Sequence, residues 1–471
     1  MEDNTFPKLL KVNYHKYANS RVAMRQKKLG IWQSYTWEDF YLHVKRISLG
    51  LVSIGLKQGQ TVLLIGDNCP EFYWIELAIH CANATSVMAF AESNTREIAD
   101  IINDAEVTFA LVQDQQLVSK IMEEREAIPR IKKIIYWEGD DLMLRGDPFF
   151  LSLYDLEGIG HEYEGIHPDL FEQNIVNSNA GDICILSYTS NNTGSSLGTI
   201  VTYDDILKTM REFLKIETWY SDDEYFSFMP IASFWEQNLG IAGSLLTGNK
   251  INFPASAYTV QRDICEISPH IIQYPSSIWQ KLFTSVTNRM NSSHVLNKTL
   301  FNFLIPGRIR ISKLKATGQN LGIFDRVLWA IGHAILFKQL LNKLGFGRNR
   351  LAYTDGGSIN HEAFDFLRAL GINVKHLFGT TETQINTVHR EGDVRPETLG
   401  TAIPDCAVGI SEGEILVRGV RPFGGYFRGR KKKDNRIDRV SPDGWFYTHR
   451  RGFITEENWL VHIEEVEKKD E

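Results

Sequence analysis

The sequence predicts an α/β protein built from two consecutive α/β subdomains with mainly parallel sheets, followed by a small antiparallel β subdomain. Short β-rich runs such as TVLLIG and VTFALV alternate with helical stretches from residue 61 onwards, which is typical of βαβ units. This alternation returns after residue 180 and gives way near residue 396 to glycine-punctuated β segments. The predicted boundaries are 1–180 and 181–395 for the α/β subdomains, 396–463 for the β subdomain and 464–471 for a charged tail.

The individual elements follow from local patterns. In the first half, the strands TVLLIG, TSVMAF and VTFALV are each followed by a helix: EFYWIELAIHCAN, NTREIADIINDA and QQLVSKIMEE. In the second half, DICILSY, NKINFP and HIIQYP are predicted strands, and YDDILKTMREFLKI is a predicted helix. The helix SSIWQKLFTSVTNRM is expected to open on a serine cap.

The composition indicates an ordinary globular protein of 471 residues, with 43% apolar and 23% charged residues. A net charge of −7 argues against a nucleic-acid partner. The five cysteines are scattered and contain no C-x-x-C pair, so we expect neither a disulfide framework nor a zinc site. The first 20 residues contain no uninterrupted apolar core of signal-peptide length and no stretch is apolar for about 18 residues, so we expect a cytoplasmic protein with at most peripheral membrane contact.

Two segments leave alternatives open. The amphipathic stretch 324–345 carries Arg326, Lys338 and Lys343 among apolar residues; it is either a core-facing helix or a helix on a membrane surface. The basic run 428–439 is either a solvated face or a docking patch for an acidic carrier, coenzyme phosphates or anionic lipid.

The loop SYTSNNTGSSLGTIVTY, residues 187–203, has the composition of a phosphate-binding loop. Hydroxyls and glycines follow the apolar strand ICIL directly, so backbone N–H and side-chain O–H groups could converge on an anion. The loop nevertheless contains neither Lys nor Arg, whereas phosphate loops usually place a cation among their glycines. The sequence therefore indicates either a working nucleotide site or the remains of one.

Four motifs occur in a fixed order: YTSNNTGSSLGTI (188–200), YTDGGSI (353–359), LFGTTET (377–383) and DGWFYTHRRGFI (443–454). Together they resemble the AMP-forming adenylating enzymes, which include acyl-CoA synthetases, luciferases and the adenylation domains of peptide synthetases. The resemblance covers residues 10 to 463, and FSFMPIASFWEQNLG with the basic-apolar segment 313–350 is most similar to the long-chain fatty acyl-CoA synthetase branch. It implies ATP and Mg²⁺ as cofactors and a fatty acid or other acyl group as substrate.

The resemblance assigns the first motif to the β- and γ-phosphates of ATP. The residues that match the family pattern there are Tyr188, Thr189, Ser190, Thr193, Gly194 and Gly198. Asn191 replaces a glycine, which is a mild change because Asn tolerates left-handed backbone conformations. Ser196 and Leu197 replace the family's Pro-Lys pair, so the loop lacks its cation.

The third motif is intact, and the second resembles the segment that lies against the adenine ring in the family. The resemblance places Asp355, Gly356 and Gly357 against the adenine ring, and the same segment offers Ser358 or Asn360 as a cap for the next helix. In LFGTTET, Phe378 replaces a tyrosine and keeps an aromatic surface beside Gly379. The resemblance implies that Thr381 faces the α-phosphate and that Glu382 holds Mg²⁺.

The fourth motif departs from the family. The pattern ends in Thr-Gly-Asp, whose aspartate accepts hydrogen bonds from both ribose hydroxyls, but here the three positions hold Thr448, His449 and Arg450. Arginine has no acceptor. The loss of two hydrogen bonds to a charged acceptor costs on the order of 2–5 kcal/mol of nucleotide binding, although Arg450 could attract a phosphate instead.

The resemblance also leads us to expect that the family's mobile C-terminal domain, with its catalytic lysine, is absent, which makes a coenzyme A step doubtful. Three functions follow. The first is a divergent acyl-CoA synthetase-like protein, a near-pseudoenzyme with impaired or absent adenylation. The second is a non-catalytic acyl- or nucleotide-binding regulator or scaffold, and the third is an adenylating subunit completed by a protein partner or acyl carrier. The candidate acyl-lining residues are Phe234, Trp235 and Trp279. The sequence gives neither acyl chain length nor oligomeric state.

Overall fold

The computed structural model describes residues 3–139, 146–189, 197–355, 357, 359–427 and 440–462. Its α-helices are α1 (Phe6–Tyr17), α2 (Trp37–Ser53), α3 (Pro70–Cys81), α4 (Thr95–Asp104), α5 (Gln115–Met122), α6 (Leu153–Ile166), α7 (Leu170–Asn177), α8 (Tyr203–Ile216), α9 (Gly243–Thr247), α10 (Val260–Ile267), α11 (Ser276–Asn291), α12 (Val295–Ala316), α13 (Ile323–Gly332), α14 (Lys338–Leu344) and α15 (His361–Leu370). Two π-helical turns, Glu236–Ala242 and His333–Phe337, lead directly into α9 and α14.

The strands are β1 (Val22–Lys28), β2 (Ile31–Thr36), β3 (Thr61–Ile65), β4 (Thr85–Met88), β5 (Phe109–Val112), β6 (Lys133–Tyr136), β7 (Phe150–Ser152), β8 (Ile183–Thr189), β9 (Leu197–Thr202), β10 (Glu224–Phe226), β11 (Lys250–Phe253), β12 (Ile271–Tyr274), β13 (Leu351–Thr354), β14 (Val374–Thr380), β15 (Gln384–Val388), β16 (Thr401–Ala402), β17 (Ala407–Ser411), β18 (Glu414–Arg418), β19 (Tyr426–Phe427), β20 (Phe446–Ile454) and β21 (Leu460–His462).

The chain forms two compact units whose segments interleave along the sequence. Unit 1 comprises Met1–Arg211, Pro230–Phe253 and Phe423–Asp438, and unit 2 comprises Glu212–Met229, Pro254–Pro422 and Arg439–Glu471. This division into units does not test the subdomain boundaries predicted at residues 180 and 395, which stay a prediction from the sequence.

Unit 1 contains a sheet in the order β19-β9-β8-β4-β3-β5-β6-β7. Its six strands β8-β4-β3-β5-β6-β7 run parallel, whereas β9 pairs antiparallel with β8 and β19 pairs antiparallel with β9. β1 pairs with β11 in parallel and with β2 antiparallel. Strands β3, β4 and β5 are buried on both faces, as expected for parallel strands that helices cover.

Unit 2 contains the strand order β16-β15-β14-β13-β12-β10 and a separate four-stranded sheet, β17-β18-β20-β21. The pairs from β10 to β14 are parallel, and those of β15 and β16 are antiparallel. Every pair of the four-stranded sheet is antiparallel. The mainly parallel sheets and the small antiparallel sheet confirm the predicted fold class.

A buried arginine joins the helices of unit 2. Arg308 of α12 is fully buried and donates hydrogen bonds to the carbonyl oxygens of Ala369, Leu370 and Trp329, at 2.7, 3.3 and 3.0 Å. Its guanidinium carbon lies 3.6 Å from the ring centre of Trp329 and 4.2 Å from that of Phe337. Because Ala369 and Leu370 end α15, the negative end of that helix dipole stabilises the cation. Burial lowers the pKa of Arg308 to about 10, so it stays charged at neutral pH.

In the described part of the chain, no helix combines the length and apolarity that crossing a membrane requires.

Candidate functional site

In unit 2, Asp355 follows directly after strand β13. Its Oδ1 accepts a hydrogen bond from the backbone N–H of Ser276, the first residue of α11, at 3.3 Å. The residue before this helix is Pro275, which cannot cap through its side chain, so the predicted serine cap is wrong and Asp355 serves that helix end from a distant strand. Burial raises the pKa of Asp355, whereas the N–H groups of Ser276 and Gly357 and the charge of Arg450 oppose this rise.

Gly357 lies close to the start of α11. A Cβ atom at this position would lie 2.6 Å from the Oγ atom of Ser276, so a larger residue would require that hydroxyl group to rotate away. The glycine therefore lets the chain turn closely past the start of α11, which is the backbone approach that a flat ring would also need. Gly356 and Ser358 lie outside the described residues, and Asn360 caps α15 by accepting a hydrogen bond from the N–H of Glu362 at 2.8 Å.

The motif LFGTTET forms the hairpin between β14 and β15. Thr381 is 8% exposed and its carbonyl oxygen accepts a hydrogen bond from Gln384 Nε2 at 2.6 Å. Thr380 and Thr383 join through their hydroxyls at 2.9 Å. Glu382 lies between these anchored residues and is half-buried. The carboxylate predicted to hold Mg²⁺ therefore projects from a turn whose flanks are fixed by side-chain hydrogen bonds.

Gly379 sits at a β-bulge of the same hairpin. A Cβ there would approach the carbonyl oxygen of Gln384 to 2.2 Å, so only glycine fits. Phe378 is 2% exposed and packs in a cluster with Leu399, Ile415 and Val417. The structure thus places the ring of Phe378 in the core beside the small sheet, and its expected role at the nucleotide stays a prediction.

The segment Thr448–Arg450 lies in strand β20. His449 has φ +55°, the left-handed conformation that glycine adopts without strain and that this position has in the family pattern. Its N–H donates to Glu414 Oε1 at 2.6 Å, and its Nδ1 lies 3.3 Å from the same oxygen. Thr448 donates to the carbonyl oxygen of Ile415 at 2.7 Å. The backbone shape of the motif is retained although its side chains differ.

The positive charge of Arg450 acts on the carboxyl group of Asp355. The charge of the exposed Arg450 guanidinium partly offsets the rise in the pKa of Asp355, whose main cause is burial. A cation therefore occupies the strand position where the resemblance places a carboxylate. A cavity of about 280 Å³ lies beside this strand and is lined by Ser411, Glu412, Glu414, Tyr447, His449 and Arg451.

Behind the ends of β13 and β14 lies a buried polar network that sequence reasoning missed. Lys375 Nζ is 2.6 Å from Glu217 Oε1, and the hydroxyl of Tyr353 donates to Glu217 Oε2 at 2.9 Å. Trp219 Nε1 donates to the hydroxyl of Tyr353 at 3.2 Å. The network ties strands β13 and β14 together directly before the segments that carry Asp355 and the hairpin.

In unit 1, the predicted phosphate loop leaves strand β8 and returns along β9. Ser190, Thr193 and Gly194 lie outside the described residues, and Thr189 pairs with Leu197 through the backbone of these strands. At the loop base, Tyr188 donates to Asp104 Oδ2 at 2.6 Å. A Cβ on Gly198 would lie 2.7 Å from the Tyr188 ring, so this glycine makes room for the tyrosine. Asp104 was not predicted, because it lies 84 residues away at the end of α4.

Phe234 and Trp235 precede the π-helical turn Glu236–Ala242 in unit 1, with ring centres 4.3 Å apart. Beside them, Tyr73 donates to Glu236 Oε1 at 2.7 Å, and Gln237 Nε2 donates to Glu76 Oε2 at 3.2 Å. Burial raises the pKa of Glu76 to about 8. The predicted apolar lining is therefore accompanied by buried carboxyl groups that the sequence did not single out.

Trp279, the third predicted acyl-lining residue, lies in unit 2. Its side chain is fully buried, and its Nε1 donates to the carbonyl oxygen of Tyr353 at 3.1 Å. The ring packs 5.1 Å from that of Tyr274 in the main hydrophobic cluster of this unit. Its location in the core is established, and its contact with an acyl chain stays a prediction.

The residues of unit 2 fit part of a nucleotide with its metal. Within the described residues, no three His, Cys, Asp or Glu side chains form a metal cluster. A single carboxylate such as Glu382 nevertheless suits Mg²⁺, which usually takes one or two carboxylates together with substrate phosphates and water. Gly357 carries no side chain that would hold a flat ring away from the backbone. Arg450 does not suit the ribose diol, since it offers no acceptor.

Known structures share this fold. The anthranilate CoA ligase AuaEII in complex with anthranoyl-AMP superimposes with a TM-score of 0.72 at 17% identity, over 97% of this chain and 77% of that one. ATP-bound MatB from Rhodopseudomonas palustris gives a TM-score of 0.68 at 16% identity, over 97% and 78%. These similarities define the class of fold as that of adenylate-forming ligases.

The sequence comparison then gives the family. The AMP-binding enzyme family matches residues 11–427, and the chain belongs to it. Long-chain-fatty-acid--CoA ligase 5 of Mus musculus is 28% identical over 419 residues, 83% of this chain and 58% of that protein. Long chain acyl-CoA synthetase 7, peroxisomal, of Arabidopsis thaliana is 24% identical over 460 residues, 92% and 62%. The chain thus spans about three fifths of the length of these relatives.

Proposed function

We propose that this chain binds a fatty acyl substrate and ATP·Mg²⁺ and forms the acyl-adenylate slowly or not at all. The names of the long-chain relatives support the fatty acyl substrate. The intact hairpin around Glu382 and the close backbone at Gly357 support a site for Mg²⁺ and a purine. We infer no thioester step from the residues described.

The observation that carries the proposal is Arg450 in strand β20, at the position where the family pattern has an aspartate. An aspartate at this strand position would accept two hydrogen bonds from the ribose, whereas a guanidinium only donates. In addition, Leu197 stands where the family pattern has a lysine at the phosphate loop. Because adenylation depends mainly on positioning and on stabilisation of phosphate charge, these two changes weaken the same step.

In this reaction, the carboxylate of the fatty acid attacks the α-phosphorus of ATP and pyrophosphate leaves. Mg²⁺ bound by Glu382 would neutralise charge on the phosphates, and Thr381 would contact the α-phosphate. The fixed flanks of the hairpin keep both residues oriented before substrate arrives. The protein therefore retains positioning groups on one side of the nucleotide and lacks the ribose acceptor on the other.

The experiment is ATP–pyrophosphate exchange with a panel of fatty acids, combined with a thermal-shift screen of the same ligands. We expect shifts in melting temperature with ATP·Mg²⁺ and a fatty acid, and exchange far below that of a long-chain synthetase assayed alongside. Exchange at the synthetase's rate would overturn the impairment, and the absence of any shift would overturn the binding proposal.

A second candidate function is a non-catalytic acyl- or nucleotide-binding regulator or scaffold, which the two altered positions, Leu197 and Arg450, also favour. Ligand shifts with no exchange under any condition would select it. Exchange that appears only after addition of a partner protein would instead select an adenylating subunit completed in trans.

A further inference from the structure

The segment from α11 to α14, residues 276–345, has an unusual charge. It contains ten Lys and Arg residues and a single acidic residue, Asp325, in a chain whose net charge is −7. Arg310 is paired with Asp325, Lys313 is paired with Asp365 of α15, and Arg308 is buried. The other seven basic residues still give this helical region of unit 2 an excess of positive charge.

One face of α13 and the following π-helical turn is apolar and exposed. Its large side chains have exposed fractions between 49 and 91%; they are Ile323, Phe324, Val327, Ile331 and Ile335. Ala330 and Ala334 are exposed on the same side. At about 100° per residue the five positions in α13 share one arc of that helix, Ala334 and Ile335 follow in the π-helical turn, and none of the seven is charged. Contiguous exposed apolar surface of this kind marks an interaction site.

The opposite face of this helix is firmly held. Leu328 and Leu336 pack against the hydrophobic cluster of unit 2, and Phe337 belongs to that cluster. Arg308 binds the carbonyl oxygen of Trp329 and contacts its ring. The apolar arc is thus presented outward by a helix that is anchored on its inner side.

Helix α12 adds apolar and basic groups of the same kind. Val295, Leu296 and Phe303 are 72, 72 and 78% exposed, and Lys298 is exposed among them. Arg326 and Lys338 are exposed on α13 and α14. Long basic side chains beside an apolar arc can reach anionic headgroups while the apolar groups enter the layer below.

We propose that α12 and α13 dock this chain on the surface of an anionic lipid membrane. Phe324, Val327 and Ile331 would enter the boundary between headgroups and acyl chains, and the surrounding lysines and arginines would contact lipid phosphates. The excess of positive charge favours a membrane over a second copy of the chain as the partner of this face. A second copy docked through the same face would bring two basic surfaces together, whereas an anionic bilayer offers complementary charge over an apolar layer.

Vesicle flotation of the full chain tests this surface. Vesicles of phosphatidylcholine alone are compared with vesicles that also contain phosphatidylserine, at low and high salt. We expect binding to the phosphatidylserine vesicles that salt weakens. The double variant Phe324→Ser with Ile331→Ser should lower the apparent affinity at least about tenfold, since each change removes a large apolar group from the lipid. Arg326→Gln with Lys338→Gln should lower it by roughly 5–25-fold.

Matched controls separate docking from general surface effects. Tyr154→Ser with Ile166→Ser removes two apolar side chains that are 86 and 71% exposed on α6 of unit 1 and should leave flotation unchanged. Lys57→Gln with Lys132→Gln, at exposed positions of unit 1, is the control for charge.

Failure to float with phosphatidylserine vesicles, or equal flotation with phosphatidylcholine alone, would overturn the proposal. An equal loss in the control variants would also overturn it. Light scattering of the same proteins measures their oligomeric state. A wild-type oligomer that Phe324→Ser with Ile331→Ser dissociates, without any change in flotation, would assign the face to a second copy instead.

Discussion

Lys375 and Glu217 form an ion pair in the interior of unit 2, with Nζ 2.6 Å from Oε1 and both side chains 2% exposed. Tyr353 and Trp219 extend the pair into a chain of hydrogen bonds. Glu217 depends on this cation, because its carboxylate would otherwise stay desolvated without an opposite charge, whereas Lys375 also lies 3.3 Å from Oε2 of the exposed Glu391. Through Tyr353 and Lys375 the network attaches Glu217 to both β13 and β14.

Lys375→Met should lower the free energy of unfolding by about 3–5 kcal/mol, because it leaves the Glu217 carboxylate buried without its cation. Urea denaturation of purified variants measures the change. The double variant Lys375→Met with Glu217→Leu should recover much of the loss. The control Lys208→Met breaks a pair in which the lysine is 48% exposed and should cost no more than about 1 kcal/mol. Equal losses for the two lysines would contradict the buried-pair argument.

Arg308→Met should destabilise unit 2 by roughly 2–3 kcal/mol, since the carbonyl oxygens at the end of α15 and at Trp329 lose a charged donor. The matched control is Arg310→Met, two residues along the same helix. Its side chain is 60% exposed, and its pair with Asp325 should contribute about 1 kcal/mol or less. Thermal denaturation compares the two. A cost for Arg310→Met as large as that for Arg308→Met would contradict the role assigned to the buried guanidinium.

Stability should fall in acid because buried histidines stay neutral in the folded protein. Burial lowers the pKa of His376 to about 3, from an ordinary value of 6.5. Between these two values the unfolded chain binds a proton that the folded chain does not, so each unit of falling pH costs about 1.4 kcal/mol.

His376→Phe should flatten this dependence while keeping a ring to pack on Phe364, whose centre lies 5.1 Å from that of His376. Urea denaturation at pH 5 and pH 8 gives the slope, and the measurement at pH 8, above the window, is the internal control. An unchanged slope in the variant would show that His376 does not carry this term.

The opposite dependence is expected from Glu76. Burial raises its pKa to about 8, so between pH 4.5 and 8 the folded protein retains a proton that the unfolded chain releases, and stability falls as the pH rises. Glu76→Gln should remove up to about 1.4 kcal/mol per pH unit of this loss and should be more stable than the wild type at pH 8. Glu162→Gln, at an exposed position of α6, is the matched control. A Glu76→Gln variant that is less stable at pH 8 would refute the assignment.

Arg450→Asp with His449→Gly should strengthen ATP·Mg²⁺ binding by a factor of tens to thousands, because the aspartate could accept two ribose hydrogen bonds that together contribute on the order of 2–5 kcal/mol. Calorimetry on the purified chain measures the affinity. Arg451→Asp, one residue further along β20, introduces the same charge and should not reproduce the gain. Tight binding by the wild type would instead show that another residue supplies the acceptor.

The local patterns of the sequence predicted much of the fold. The helix YDDILKTMREFLKI corresponds to α8 over Tyr203–Ile216. The predicted strand HIIQYP contains β12, and DICILSY covers all of β8 except its last residue, Thr189. Hydrophobic periodicity is a local property, and it suffices where an element is regular and long. The interleaving of the compact units depends instead on contacts between distant segments, which no window of the sequence contains.

The candidate site was only partly predictable for the same reason. The motifs pointed to Glu382, Asp355 and Gly357, but not to the hydrogen bond by which Asp355 serves the start of α11. The serine expected as the cap was wrong, because a partner 79 residues away fulfils that role. The buried pair of Lys375 and Glu217 gave no signal either, since charged residues in a sequence are ordinarily assigned to the surface.

The π-helical turn His333–Phe337 divides one continuous helix into two parts of different character. Before it, α13 shows apolar residues to the outside; after it, α14 shows Lys338, Gln339, Asn342 and Lys343, while Leu341 and Leu344 face inward. A π-turn accommodates one residue more than an α-turn. The number of residues in the turn thus determines which side of α14 faces outward relative to α13. Removing one residue within 333–337 would rotate the two helices relative to each other even if every remaining side chain were unchanged.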